Sequence, residues 1–527
     1  MKSLAGTGTM VRFILRRDRI VIPLYVVIFA AFVMSQALGS QELYANQAER
    51  EVYAATAGSN PALIALTGPA YAIDTVGGDT AWQVGGFGGA AVALASMILV
   101  GRHTRAEEQS GRSELLRANV LGRYAHPTAA LIVVLGANVL LAAGTALALI
   151  TLDLPTAGSI AFGASMGAVG VVFAAVGLVS AQVTENASTV YGIGGAVLGT
   201  TYLLRAAGDI GEGNLSWLSP IGWAQRMRPF ADERWWPLLL FLGATVVLLG
   251  AGFALMVRRD EGAGLVAARP GPARASAGLV RPVGFAFRLR RGLLIGWTAG
   301  LFVGGLTMGS FGEEVGDLVG DSDLAESFIG TSGTAGIVDS FFATILLIMA
   351  MIGTAYAIQS AQRMRSEESA GRLEPLLATA TSRWRWAGSQ ILVTLAGVTL
   401  ALTACGLGAG ISHALRTDDA GELTRLLGAQ LASLPAVWIV AGLAIALFGL
   451  VPRATSLAWV ALGGCFFIGI LGPLLQLPDW TMDLSPFTHV PEVPARDLTA
   501  EPLIRLTVIA AALIAAGLVG FRRRDVG

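Results

Sequence analysis

Apolar runs of about twenty residues recur along this 527-residue chain and leave little choice of solvent. A helix that crosses the hydrocarbon core of a bilayer needs roughly 20 mostly apolar residues. In the first half such runs lie near residues 20–38, 82–101, 127–150, 160–183, 189–204 and 236–257. In the second half they lie near 293–310, 340–360, 388–413, 427–451, 455–475 and 504–521. Only 14% of the residues are charged, against roughly 25% in a soluble globular chain. A chain this poor in charge cannot cover a water-facing surface. The expected fold class is therefore an all-α integral membrane protein with about twelve spans. The 36 basic and 36 acidic residues cancel, so nothing points to nucleic acid, and charge placement carries more information than the total.

Arginine placement gives an orientation. The basic segments are 12–19, 102–123, 258–291, 363–385 and 522–524. With twelve spans and the N-terminus inside, all of them fall on the cytoplasmic side, as the positive-inside rule asks. The C-terminus is then cytoplasmic too, and the expected location is a bacterial inner membrane. The acidic stretch with Glu313, Glu314, Asp317, Asp321, Asp323 and Glu326 contains no basic residue and falls outside. The first apolar run has a basic flank, Arg16-Arg17-Asp18-Arg19, and so resembles a signal peptide; we read it as the first span.

The two halves repeat each other. Residues 105–123 read RAEEQSGRSELLRANVLGR and residues 365–383 read RSEESAGRLEPLLATATSR. They align without a gap and are identical at nine of nineteen positions, where average residue usage would give about one or two. Leu218-Ser219-Pro220 recurs as Leu484-Ser485-Pro486, and Arg258-Arg259-Asp260 as Arg523-Arg524-Asp525. Arg16-Arg17 recurs as Arg290-Arg291. Six spans per half give both copies the same orientation, a parallel repeat. The domains expected are 1–257, a cytoplasmic linker 258–284, and 285–527.

Each charged segment is expected to form a helix of about five turns, over 104–123 and 364–383. Glu108/Arg112 and Glu368/Arg372 have the i,i+4 spacing, acid first, that supports a helix. Leu373, Leu376, Leu377 and Ala380 give a helical apolar stripe. Gly111 and Gly371 weaken a helix and suggest a bend. Segments 11–17 and 285–291 mix aromatic and basic residues and suit short amphipathic helices lying in the membrane interface.

Several chemistries are disfavoured. Lys2 is the only lysine, and a P-loop needs a lysine to reach the β and γ phosphates. The chain thus has no Walker-type nucleotide site of its own. Cys405 and Cys465 lie in apolar runs, without zinc spacing, and read as unpaired thiols. The four histidines are scattered at span edges, so neither a catalytic cluster nor a metal site is expected.

At the charged segments the sequence resembles the membrane subunit of ABC-2 type exporters, which carries a motif like E-x-x-G-x-x-E-x-L between its second and third spans. Here the motif is Glu108-Gln-Ser-Gly111-Arg-Ser-Glu114-Leu-Leu116 and Glu368-Ser-Ala-Gly371-Arg-Leu-Glu374-Pro-Leu376. The fused twelve-span form resembles the tetronasin, polyketide-antibiotic and multidrug type. The resemblance implies a permease that expels hydrophobic small molecules, driven by two copies of a separate ATPase that bind ATP and magnesium. It implies coupling contacts through Arg105, Glu107, Glu108, Gly111, Arg112, Glu114 and Leu116, and through Arg365, Glu367, Glu368, Gly371, Arg372, Glu374 and Leu376. It also implies elbow helices carrying Arg12, Arg16 and Arg17, and Arg288, Arg290 and Arg291. The chain departs from the family pattern at Arg112 and Arg372, where a threonine is usual, and lacks a proline before Arg123 or Arg383.

The rival reading is a proton-coupled twelve-span carrier of the major facilitator type. It wants acidic residues within spans, and the apolar runs contain almost none. Phe87, Phe341 and Phe342 are candidates for an apolar substrate cavity. Gly85/Gly89, Gly195/Gly199 and Gly300/Gly304 suggest close helix packing. Trp235, Trp236, Trp384 and Trp386 suggest interface anchors. The long connectors 40–80, 211–234 and 313–332 suggest an external cap.

Overall fold

The computed structural model describes residues 3–43, 47–59, 61–111, 121–211, 213–260, 262–266, 271, 273–312, 323–471 and 477–525. Among these the protein is helical, without strands. It forms two compact units, Met1–Gly271 and Pro272–Gly527.

Unit 1 contains α1 (Thr7–Arg17), α2 (Val21–Leu43), α3 (Gln47–Ala57), α4 (Pro61–Thr67), α5 (Val76–His103) and α6 (Arg105–Gln109). These are followed by α7 (Ala125–Ile150), α8 (Thr156–Val183), α9 (Ala187–Ile210), α10 (Pro220–Arg226) and α11 (Leu238–Val257). Unit 2 contains α12 (Pro282–Ser310), α13 (Asp323–Ser369), α14 (Leu373–Leu377), α15 (Arg383–Thr417) and α16 (Gly421–Ala432). It continues with α17 (Leu434–Leu450), α18 (Leu457–Leu471), α19 (Asp479–Met482) and α20 (Ala500–Arg523).

Ten helical stretches among the described residues are long and apolar enough to cross a membrane, rather than the twelve expected. The two that fall short are the fifth of each half. Helix α9 has the length, but Gly, Thr and Tyr dilute its apolar content. Helix α18 has 15 described residues.

Packing repeats as well. In each unit the first span packs along the third, the second along the fourth, and the fourth along the sixth. Glycines decide the closest of these contacts, though not at the expected pairs. A Cβ on Gly195, Gly199 or Gly300 would meet nothing within 4 Å. Five residues beyond Gly300 and Gly304 the situation reverses along α12. A Cβ at Gly305 or Gly309 would stand 2.1 Å from the Cys405 carbonyl oxygen and 2.2 Å from that of Ala409 on α15. Between α17 and α20, a Cβ on Gly449 would stand 1.9 Å from the Gly517 carbonyl oxygen. Helices in a membrane associate through such backbone approach rather than through a hydrophobic driving force. Gly449→Ala is therefore expected to cost about 1–3 kcal/mol by overpacking, read as a lower melting temperature of the detergent-purified protein. Gly463→Ala, where a Cβ meets nothing within 4 Å, is the neutral control.

At the end of unit 1 opposite the charged segment, the connectors form a compact cap. Residues 61–68 supply backbone carbonyls to side chains of the later elements. Tyr202 donates to Leu66 O at 2.6 Å, Arg205 to Ala65 O at 2.5 Å and to Leu66 O at 3.0 Å, and Gln225 to Thr67 O at 2.5 Å. Trp82 Nε1 donates to Gly68 O at 2.7 Å. Of the predicted cap in unit 2, residues 313–322 lie outside the described residues.

Candidate functional site

Each charged segment begins as a continuation of the second span and then stops at glycine. Helix α13 runs through Glu367 and Glu368 to Ser369. Gly371 then takes φ +66 and Gly111 takes φ +72, the left-handed region that only glycine adopts without strain. The expected five-turn helix is therefore not formed in unit 2: after the glycine, α14 spans only Leu373–Leu377. In unit 1, α6 ends at Gln109, and Arg112, Glu114 and Leu116 lie outside the described residues.

The glycine turn changes the ion pairing. Arg372 does not meet Glu368 in an i,i+4 pair; it folds back on Glu367, with Nε to Oε2 at 2.8 Å and Nη2 to Oε1 at 3.2 Å. Glu367 also meets Arg363 at 3.0 Å.

Glu108 and Glu368 instead reach across their units to the end of the last span. Arg259 donates Nη2 to Glu108 Oε1 at 2.8 Å and Nη1 to Oε2 at 2.9 Å. Arg524 donates Nη1 to Glu368 Oε1 at 2.5 Å and Nη2 to Oε2 at 2.8 Å. Arg105 adds a contact to Glu108 at 2.5 Å, and Arg365 one to Glu368 at 3.4 Å. The end of the segment closes the same junction: Arg123 donates to Met256 O at 3.2 Å, and Arg383 to Arg522 O at 3.1 Å and Arg524 O at 2.7 Å. Arginine suits both tasks because its planar fork matches a carboxylate bidentately and its charge favours the carbonyl end of a helix.

These carboxylates are not an exposed charged face. The Glu368 and Glu108 side chains are 2% and 11% exposed, and Glu107 and Glu367 are buried. What the segment presents outward includes Gln109 and Ser110 in unit 1, and Ser369, Ala370, Gly371, Arg372, Glu374 and Pro375 in unit 2. Leu376 is half-buried, beside a fully buried Leu373.

A duplicated clamp joining the second span to the sixth fits a permease built from two repeated halves, and the chain is similar to known permeases. The family model described as "Multidrug efflux system permease Rv1217c, C-terminal domain" matches residues 279–522. The multidrug efflux system permease protein Rv1217c of Mycobacterium tuberculosis is 41% identical over 524 residues, 99% of this chain and 95% of its own. This chain belongs to that multidrug efflux permease family. The ABC-2 resemblance of the charged segments is consistent with it.

The permease's two elbow segments differ. In unit 1, α1 is a separate helix whose Met10 and Ile14 are buried against α7, while Arg12 and Arg16 stay exposed. Arg17 pairs with Glu107, and Asp18 in the following turn meets His103 and, at 3.1 Å, Arg102. In unit 2 the expected short helix at 285–291 is instead the first part of the 29-residue α12. Arg288 and Arg291 are exposed there. Arg290 is 1% exposed and donates to Ser360 Oγ at 2.9 Å and to Gln390. It joins three helices of the permease and offers nothing to the interface.

Of the aromatic candidates, Phe342 is fully buried, packed against Phe341 and His413. It cannot line an open cavity of unit 2. Phe87 is 47% exposed, beside Tyr202.

The spans are less acid-poor than the sequence suggests. Helix α5 starts early enough to include Asp79, 2% exposed and bonded to Gln83 at 2.8 Å. Helix α13 includes Asp339, which meets Arg425 at 2.5 Å. Arg205 and Asp209 form a buried pair in α9 at 3.4 Å.

Proposed function

We propose that this permease expels hydrophobic small molecules from the cell, powered by two copies of a separate ATPase that bind ATP and magnesium on its cytoplasmic face. The observation that carries this reading is the duplicated Glu108–Arg259 and Glu368–Arg524 clamp. A push on the turn at Gly111 or Gly371 is delivered through a bidentate ion pair to the end of the sixth or twelfth span. In unit 1 it also reaches α1 through Glu107 and Arg17. The partner would meet the exposed turn, and the buried glutamates would carry the movement inward. The name of the relative, an efflux system permease, supports a multi-component exporter. The basic segments and both termini would then face the cytoplasm, across a bacterial inner membrane.

Proteoliposomes holding the permease and its ATPase test this directly. Efflux of a hydrophobic dye is expected to require ATP and to survive a protonophore. The proton-coupled reading draws support from Asp79 and Asp339 and expects the reverse. Loss of efflux with the protonophore, at undiminished ATP, would reject the ATP-driven reading.

A further inference from the structure

In unit 1 the surface around Arg105 is covered by the chain's own backbone. Arg105 Nη2 donates to the Gly262 carbonyl at 3.1 Å. The Leu265 and Val266 amides donate to the Gln182 and Val183 carbonyls, both at 3.0 Å. Gln109 Oε1 accepts from the amide of Ala187, the first residue of α9, at 3.1 Å. Arg105 is left 1% exposed.

Unit 2 repeats the arginine, and among the described residues no backbone segment covers it as in unit 1. Arg365 keeps 35% of its side chain exposed. It lines a cleft of about 620 Å³ together with Gln362, Ser366, Ser369, Arg453 and Ser456. Ser369 holds the motif position that Gln109 holds in unit 1. Arg453 is exposed and makes no ion pair among the described residues. The equivalent turn of unit 1 instead carries Glu185. Glu368, the acid nearest Arg365, is held at closer range by Arg524, so the cleft keeps a positive balance.

The cleft borders an apolar surface. Val451, Leu457 and Val460 are 53%, 54% and 68% exposed. Trp459, 38% exposed, donates its indole N–H to Gln362 Oε1 at 3.2 Å. Tryptophan in this setting marks the membrane–water boundary. The volume lies within the roughly 300–1,000 Å³ of small-ligand sites. Two arginines and three serines call for an anion rich in acceptor oxygens, and the flanking surface calls for an apolar tail. Basic pockets between spanning helices take anionic lipid headgroups for these reasons.

We propose that this cleft of unit 2 holds the headgroup of an anionic phospholipid, its phosphate oxygens receiving from Arg365 the hydrogen bond that Gly262 receives from Arg105. Unit 1, already covered, binds none at the equivalent place, so one lipid is held here per chain.

The test uses the purified full-length chain in detergent doped with phosphatidylglycerol or phosphatidylcholine, with retained lipid counted by native mass spectrometry. The wild type is expected to retain phosphatidylglycerol over phosphatidylcholine. Arg453→Gln should lower that retention about fivefold, the effect of one near-surface arginine on anionic lipid, and Arg453→Lys should keep most of it. Ser369→Glu, which places a carboxylate in the cleft, should lower it as well. Arg505→Gln, on an exposed pair at the other end of α20, should change nothing. Equal retention by the wild type, Arg453→Gln and Ser369→Glu, at unchanged melting temperature, overturns the proposal. So does displacement of the lipid by millimolar inorganic phosphate, which would assign the cleft to a free anion.

Discussion

Glu108→Ala is expected to remove most of the folded protein from the membrane. The Glu108 carboxylate is the counter-charge for Arg259, 5% exposed, and Arg105, 1% exposed. Deleting it leaves two buried guanidinium groups facing each other. Breaking a buried pair by removing one partner costs about 3–5 kcal/mol, a large share of the roughly 5–15 kcal/mol that holds a domain folded. The measurement is membrane yield together with the melting temperature of the purified protein. Glu108→Gln keeps the shape and one acceptor, and should recover part of the loss. Glu108→Gln combined with Arg259→Met removes charge from both sides and should be less damaging than the sum of the two single changes. A Glu108→Ala protein that melts like the wild type would show that the clamp does not support the fold.

Glu374→Arg is expected to do the opposite: to leave yield and melting unchanged while lowering stimulation of the partner ATPase by more than about tenfold, the effect of losing roughly 1.4 kcal/mol of contact. Glu374 is exposed at the start of α14 and makes no ion pair among the described residues. It belongs to the same motif as Glu368 but sits past the glycine turn, on the outward side. Normal ATPase stimulation by the variant would remove α14 from the coupling contact. The contrast also decides how the buried members can be tested. Reversing Glu108 and Glu368 to arginine places like charges beside Arg105, Arg259, Arg365 and Arg524. A loss of function there reports collapse of the clamp before it reports docking.

The spans were readable because twenty-residue apolar runs have few other fates, and the duplication because nine identities survive in the charged segment. The clamp was half readable. The Arg259 and Arg524 triplets already stood out as an echo, but their partners lie 151 and 156 residues away, beyond any local spacing rule. The i,i+4 rule, applied across Gly111 and Gly371, assumed a helix that the left-handed glycines end. The burial of the glutamates was invisible for the same reason: a sequence motif shows charge, and only the packing around it shows whether water reaches that charge. The early starts of α5 and α13 escaped because local hydropathy discounts any acid that a neighbour satisfies. Arg290 was misjudged because its repeat partners, Arg16 and Arg17, belong to a separate helix, whereas α12 is continuous.

Both carboxylate–guanidinium clamps close within their own unit, and so does the backbone pairing of Leu265 and Val266 onto α8. Both members of the first clamp, Glu108 and Arg259, are thus encoded before residue 267, and both members of the second, Glu368 and Arg524, after residue 281. A gene divided between those two points would hand each product both halves of its clamp, whereas a division a few codons earlier would strand Gln182 and Val183 without their amide donors. The present single polypeptide therefore carries, in its ion pairing, the layout of two separable messages.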